Sequence, residues 1–95
     1  MNPLDTSEIG TTGVHVTRLG FGSAPIGNLF NNVPEEDAFT TIRHALKLGL
    51  NYLDTAPLYG HGNSEVRLGG VLPNVQRNSF VLSTKVGRVL NPVDT

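Results

Sequence analysis

The sequence contains no cysteine, so neither a disulfide framework nor thiol chemistry is open to it. Long apolar runs are missing too: no stretch approaches the roughly 18 residues that a membrane-spanning helix needs. Charge is sparse, at 16% of residues, and the two signs nearly cancel to a net −1. A chain without a basic excess is a poor match for nucleic acid or for an anionic membrane surface. Histidine is scarce and scattered, at His15, His44 and His61, so no set of metal ligands can be assembled from it. The first ten residues lack the basic-then-apolar order of an export signal, which leaves the cytoplasm as the expected compartment.

What is present suits a globular α/β domain, with 38% apolar residues. Residues 1–7 are polar and expected to fray. Glu8-Ile9-Gly10 and Val14-His15-Val16 flank Thr11-Thr12-Gly13, which reads as a short hairpin with Gly13 at the positive-φ position. His15 alternates with two valines and is expected to face solvent. Arg18 to Gly22 reads as a strand. Its Gly20 and Gly22 imply either tight packing or close approach of a ligand to the backbone. After a loop over 25–33, Pro34 opens a helix. Ala38, Phe39, Ile42, Ala45 and Leu46 recur at helical spacing, acids stand in the first turn, and Gly49 stops the helix. His44 falls off the apolar stripe. A second strand spans 50–55. A second helix runs from an expected Ser64 N-cap through the weakening Gly69-Gly70 pair to Pro73. A third strand covers 79–85, and its Phe80-Val81-Leu82 run suits a strand covered on both faces. The strand–helix–strand order predicts parallel pairing. Gly87 to Thr95 reads as the start of a loop.

The chemistry-bearing stretch lies after the second strand: Asp54-Thr55-Ala56-Pro57-Leu58-Tyr59-Gly60-His61-Gly62-Asn63-Ser64-Glu65. Sites in α/β chains are built at strand C-terminal ends and in the loops that follow. Asp54 and Lys85, at the ends of neighbouring parallel strands, point to one place, with Tyr59 in the loop between. A free phenol, with a pKa of about 10, is a poor proton donor near neutrality. A neighbouring ammonium favours the phenolate, and a carboxylate holds the ammonium in place. Lys85 and Asp54 supply those two groups for Tyr59. Each residue also has a blander reading: Asp54 as a loop cap, Tyr59 as a core aromatic, Lys85 as a solvated strand end. Gly60-x-Gly62 imitates a dinucleotide-binding glycine loop but lacks the third glycine. His61 is a candidate for the pocket mouth.

Asp54-Thr55-Ala56-x-x-Tyr59-Gly60 with Ser64-Glu65-x-x-Leu68-Gly69, followed by Ser83-Thr84-Lys85-Val86-Gly87, resembles the paired signatures of the aldo-keto reductases, over about residues 12–92. The resemblance implies a (β/α)8 barrel, an NADP or NAD cofactor and a small carbonyl or sugar substrate. It assigns Asp54, Tyr59 and Lys85 to catalysis, and Gly22, Ser23, Ala24 and Asp54 to the cofactor. A small residue at Ala24 is expected to open the substrate pocket. Such a barrel needs roughly 250 residues, and 95 are present. Residues 1–95 are therefore expected to be the N-terminal part of that domain: a lead-in hairpin, about three barrel strands and two helices. The 95 residues alone are expected to be inactive. The family's carbonyl-orienting histidine after strand four lies outside this sequence, as do the loops that hold the cofactor's adenosine end. Ser23 to Leu29 and Leu82 to Arg88 are similar to the aldose and pyridoxal dehydrogenase subgroup, which tilts the expected direction toward oxidation. The rival reading is a catalytically silent chain, either a truncation remnant or a barrel kept for protein contact.

Overall fold

The structure is a computed structural model that describes residues 2–28, 31–87 and 90–91. An antiparallel hairpin precedes a parallel three-stranded sheet and two helices. The hairpin pairs β1 (Thr6–Glu8) with β2 (His15–Thr17) in the register Thr6↔Thr17, Ser7↔Val16, Glu8↔His15. Its strands are thus shifted by one or two residues from those expected at 8–10 and 14–16. The tip spans Ile9 to Val14, where Gly10 and Gly13 both have positive φ (56° and 78°). His15 is exposed, as expected.

The expected fraying of residues 1–7 does not hold for residues 3–7. The Arg18 and Leu19 amides donate to the carbonyls of Asp5 (2.9 Å) and Pro3 (3.0 Å), which extends the hairpin toward the N-terminus. Leu4 packs over Gly49. The same bonds shorten the next strand, because Arg18 and Leu19 serve the hairpin rather than the sheet. Only Phe21–Gly22 forms β3, where 18–22 was expected.

The sheet order is β3–β4–β5, with β4 at Tyr52–Asp54 and β5 at Val81–Ser83. Both pairings are parallel, as the alternation of elements predicts, and they set Gly22 beside Asp54 and Asp54 beside Ser83. Asn51 pins the sheet to the hairpin: its Oδ1 accepts the Thr17 amide at 2.7 Å, and its Nδ2 donates to the His15 carbonyl at 3.1 Å.

Helix α1 (Glu35–Lys47) starts just after Pro34, with Glu35, Glu36 and Asp37 in its first turn. Gly49, at φ 104°, ends it. Ala38, Ile42 and Ala45 are buried, while Phe39 and Leu46 pack against the core from its edge. His44 is exposed. Helix α2 (Asn63–Val71) adds Leu68 and Val71. Together with Ile26, Leu53, Leu72 and Phe80 these residues form one core. Full burial of a side chain such as Ile42, Leu53 or Leu68 stabilises by roughly 1.5–3 kcal/mol each. The glycine pair expected to weaken α2 has a packing use: a Cβ on Gly70 would lie 2.8 Å from the Phe39 ring, so its absence lets α1 close on α2. The α-helix stops at Val71, and Pro73 sits in the 3-10 turn that follows.

Phe80 is 6% exposed, but Leu82 is 40% exposed, so the expectation of cover on both faces fails for Leu82. It lines a groove of about 380 Å³ with Leu68, Leu72 and Phe80, between α2 and β5. The loop expected over 87–95 falls largely outside the described residues.

Candidate active site

The parallel register places the C-terminal ends of β3, β4 and β5 side by side, and Gly22, Asp54 and Ser83 lie in one row. Side chains alternate along a strand. Tyr52 and Asp54 therefore share a face of β4, as Ser83 and Lys85 share a face at the end of β5. Lys85 Nζ donates to Asp54 Oδ2 at 2.8 Å and to the Thr55 carbonyl at 3.1 Å. Ser83 Oγ donates to Asp54 Oδ1 at 2.7 Å. Both carboxylate oxygens are thus engaged, by different donors. Tyr52 Oη lies 3.1 Å from Ser83 Oγ, and since Ser83 gives its proton to Asp54, Tyr52 is the donor to Ser83.

Tyr59 closes the group from the loop. Its amide donates to the Ala56 carbonyl at 3.2 Å, and its own carbonyl accepts the Ser64 amide at 3.2 Å. The ring sits beside Lys85, whose Nζ is 5.1 Å from its centroid, a cation–π distance. Ala56, Leu58, Tyr59, Lys85 and Val86 line an open cavity of about 280 Å³. The larger groove beside α2 contains none of Asp54, Tyr59 and Lys85. The structure thus brings these three residues together.

The electrostatics follow from the donors. Partial burial pushes the Asp54 carboxyl up, but the hydrogen bonds from Lys85 and Ser83 and the Lys85 charge outweigh it. The net position is below the ordinary carboxylate value. The Asp54 hydrogen bond holds the Lys85 ammonium above the usual lysine value, against a smaller desolvation effect, with Tyr59 adding to the rise. Asp54 is ionised and Lys85 protonated at neutral pH. The pair is open, with side-chain exposures of 37% and 48%, so its value lies in charge placement more than in stability.

The residues expected to touch a cofactor divide. Gly22 lies at the open end of β3, and a Cβ built there meets nothing within 4 Å, so a ligand has room against its backbone. Gly20 differs: a Cβ there would lie 3.1 Å from the Tyr52 ring. Of the two readings for the strand glycines, tight packing belongs to Gly20 and open space to Gly22. Ala24 is half-buried. Ser23 is fully buried, and its hydroxyl and amide both donate to the Asp54 carbonyl, at 2.6 and 3.0 Å. Its side chain is turned into the protein. Gly22, Ala24 and Asp54 thus lie at or just beyond the C-terminal ends of the strands, with the Ser23 side chain turned in behind them.

Ser64 is not an N-cap. Helix α2 begins at Asn63 after Gly62 (φ 94°), and no side chain caps it. Ser64 is fully buried. Its hydroxyl lies 3.0 Å from the Ser23 carbonyl, 2.7 Å from Ser23 Oγ and 2.8 Å from Thr55 Oγ1. This hydroxyl knot ties the loops after β3 and β4 to the start of α2. Beside it a Cβ on Gly60 would run into the Gly27 carbonyl, and one on Gly27 would lie 2.9 Å from the Tyr59 carbonyl. Gly60 thus serves backbone contact inside the protein rather than the approach of a ligand. His61 is exposed, at φ 54°, and is not among the residues lining the cavity. Among the described residues no group of three or more His, Cys, Asp or Glu could hold a metal, and no helix is long and apolar enough to cross a membrane.

Sequence reasoning missed Tyr52, Ser83 and the Ser23–Thr55–Ser64 knot. The period-2 rule, applied backward from Asp54 and Lys85, would have found Tyr52 and Ser83. Nothing local marks the knot, which joins residues 41 apart.

Comparison with known proteins identifies the family and the fold. Residues 18–94 match the model of the Aldo/keto reductase family. The chain is 41% identical over 90 residues to an L-galactose dehydrogenase of Arabidopsis thaliana, covering 93% of this chain and 28% of that protein. It is 45% identical over 80 residues to a D-threo-aldose 1-dehydrogenase of a Pseudomonas species, covering 84% and 24%. Among solved structures, the holo form of an aldo-keto reductase from Bacillus halodurans superposes with a TM-score of 0.76 at 38% identity, covering 86% of this chain and 26% of that one. The chain spans about a quarter of the length of the curated relatives it matches.

Proposed function

The chain belongs to the aldo/keto reductase family, and from that premise we propose that the protein carrying it is an NAD(P)-dependent oxidoreductase. Residues 1–95 are then part of one such catalytic domain, a (β/α)8 barrel. The reaction interconverts a carbonyl (an aldehyde, a ketone or a sugar hemiacetal) and its alcohol or lactone. The observation that carries this reading is the placement of Lys85 Nζ, 2.8 Å from Asp54 and 5.1 Å from the Tyr59 ring centroid, beside an open cavity.

A carbonyl oxygen that gains charge during reduction must meet a proton donor, and Tyr59 is the donor on this reading. The Lys85 ammonium stabilises the phenolate left behind, and Asp54 holds that ammonium in place. In the oxidative direction Tyr59 accepts the proton. The cofactor, when bound, supplies or takes up the hydride. Gly22, Ala24 and Asp54 are the residues here that would hold it, with Ser23 fixing the loop from within. Sugar dehydrogenases among the relatives support an aldose substrate and the oxidative direction. The net charge of −1 supports a small-molecule partner rather than nucleic acid or membrane, and a cytoplasmic setting is part of the same proposal.

The test is Tyr59→Phe in the complete barrel, which keeps the ring and removes the hydroxyl. Turnover is expected to fall by roughly 10²–10⁴-fold, with cofactor affinity nearly unchanged. Retention of most activity would remove the phenol from the mechanism. Absence of turnover in the parent, across aldehydes, ketones and aldoses with either cofactor, would favour a silent barrel.

A further inference from the structure

Asp54 has two carboxylate oxygens, and the reaction proposed above uses only the one that faces Lys85. The other, Oδ1, is held by Ser83 at 2.7 Å, and Ser83 is itself held by Tyr52 at 3.1 Å. The three side chains form a directed series on the sheet face that carries Asp54: Tyr52 O–H to Ser83 Oγ, then Ser83 O–H to Asp54 Oδ1. We propose that Ser83, oriented by Tyr52, is a positioning residue that fixes the plane of the Asp54 carboxylate, so that one oxygen stays aimed at the Lys85 ammonium while the other is held by Ser83.

A carboxylate on a two-carbon side chain turns about its terminal bond, a broad torsion with no sharp rotamer. Lys85 alone does not stop that rotation, because its ammonium reaches either oxygen from a flexible stem. A second, shorter and stiffer donor on the other oxygen does. Ser83 has that geometry because the register sets it directly beside Asp54 across the β4–β5 ladder. Tyr52 resolves the remaining freedom, since a serine hydroxyl that accepts from a phenol is left with its own proton free for Asp54. The groups that face the Asp54 carboxylate among the described residues are then Ser83 from β5 and Lys85 just after it, with Tyr52 behind Ser83 and Tyr59 across Lys85. β3 presents Gly22, which carries no charge.

The inference rests on the proposed role of Asp54, so the experiment separates the two. In the complete barrel, Ser83→Ala, Ser83→Thr and Tyr52→Phe are compared with the parent and with Asp54→Asn. One readout is the Asp54 carboxyl titration by carbon-detected NMR, and the other is the pH profile of kcat. Loss of the Ser83 donor moves the Asp54 titration to higher pH and lowers kcat by roughly tenfold or more, within the roughly 10²-fold that a misplaced group costs. KM and cofactor affinity move little. Ser83→Thr, which keeps the hydroxyl, restores both readouts. Tyr52→Phe moves them the same way by a smaller amount. An Asp54 titration in Ser83→Ala that superposes on the parent's would overturn the proposal, as would a Ser83→Thr protein no better than Ser83→Ala. If Ser83→Ala folds poorly, Tyr52→Phe decides by the same titration. If Asp54→Asn leaves kcat unchanged, the proposed function fails at Asp54, while the titration still judges Ser83.

Discussion

Ser23, Thr55 and Ser64 are buried and neutral, with exposures of 0, 2 and 0%, and among the described residues their hydroxyls bond only to one another and to backbone. Asp54 and Lys85, at the same end of the sheet, are charged, with side chains 37% and 48% exposed. Thr55 follows Asp54 directly, and its carbonyl accepts from Lys85 while its hydroxyl meets Ser64, so the two clusters meet in one residue. The difference in burial separates their work. A buried hydroxyl with every bond made contributes to holding loops in one arrangement, and removing a partner leaves an unsatisfied group that costs about 1–3 kcal/mol. An open ion pair contributes little to stability, yet it sets the charge seen by whatever enters the cavity. On the proposed reading one cluster positions and the other takes part in the chemistry, and substitutions should tell them apart.

The largest expected effect falls on the ionic side. Lys85→Met in the complete barrel removes the ammonium beside Tyr59 and should reduce turnover by at least roughly 10²–10⁴-fold with little change in unfolding midpoint. Adding Tyr59→Phe should cost far less than the sum of the separate effects, because residues that act as a unit are not additive. Steady-state turnover of the two single variants and the double checks this, and full additivity would mean that the residues act independently.

Gly60→Ala probes the frame from the backbone. Gly60 has φ 65°, and its missing Cβ makes room for the Gly27 carbonyl. The substitution adds backbone strain of order 1–3 kcal/mol to a steric conflict. We expect a clear loss in the denaturation midpoint, with the pH profile of the residual activity unaltered. A midpoint equal to the parent's would show that the two loops move apart freely and that the frame does not constrain Tyr59.

The sequence displayed the fold and the chemistry unevenly, and the reasons are physical. Helix α1 was readable because its apolar stripe, acidic first turn and terminal glycine all agree. Asp54, Tyr59 and Lys85 were readable because strand ends converge in a parallel sheet. The strand limits were not, because Arg18 and Leu19 give their amides to Asp5 and Pro3, a long-range choice no local pattern records. Ser64 reads as a cap because a serine before an apolar helical pattern usually is one. Only the approach of Ser23 and Thr55 in three dimensions turns it inward. Leu82 looks like core because it ends the apolar run Phe80-Val81-Leu82, yet it faces a groove that no described element fills.

Ser64→Ala tests the buried cluster directly. Ser23 and Thr55 each lose a partner, and we expect destabilisation of about 1–3 kcal/mol by chemical denaturation. Turnover per folded molecule should fall less than in Lys85→Met. A turnover loss as large as that of Lys85→Met at unchanged stability would move Ser64 from the frame into the chemistry.

The smallest effect is the pH dependence of stability contributed by the ion pair, and its sign follows from the two shifts. Asp54 lies below its ordinary 3.8 in the folded state, so its contribution is full above that value and is lost as pH falls through the folded position. Lys85 lies above its ordinary 10.5, so its contribution is full below 10.5 and is lost as pH rises through the folded position. Between those limits the pair's contribution should be flat, and both groups are exposed enough for salt to screen it. The stability difference between the parent and Lys85→Met should therefore be small and constant through neutrality. It should shrink at high salt and vanish below the titration of Asp54. The Ser64→Ala difference, which involves no charge, should ignore both salt and pH over the same range. Denaturation curves of the three proteins at low and high salt, from acid to alkaline pH, make the comparison. A Ser64→Ala difference that salt abolishes, or a Lys85→Met difference that survives protonation of Asp54, would break the division between a neutral frame and an ionic site.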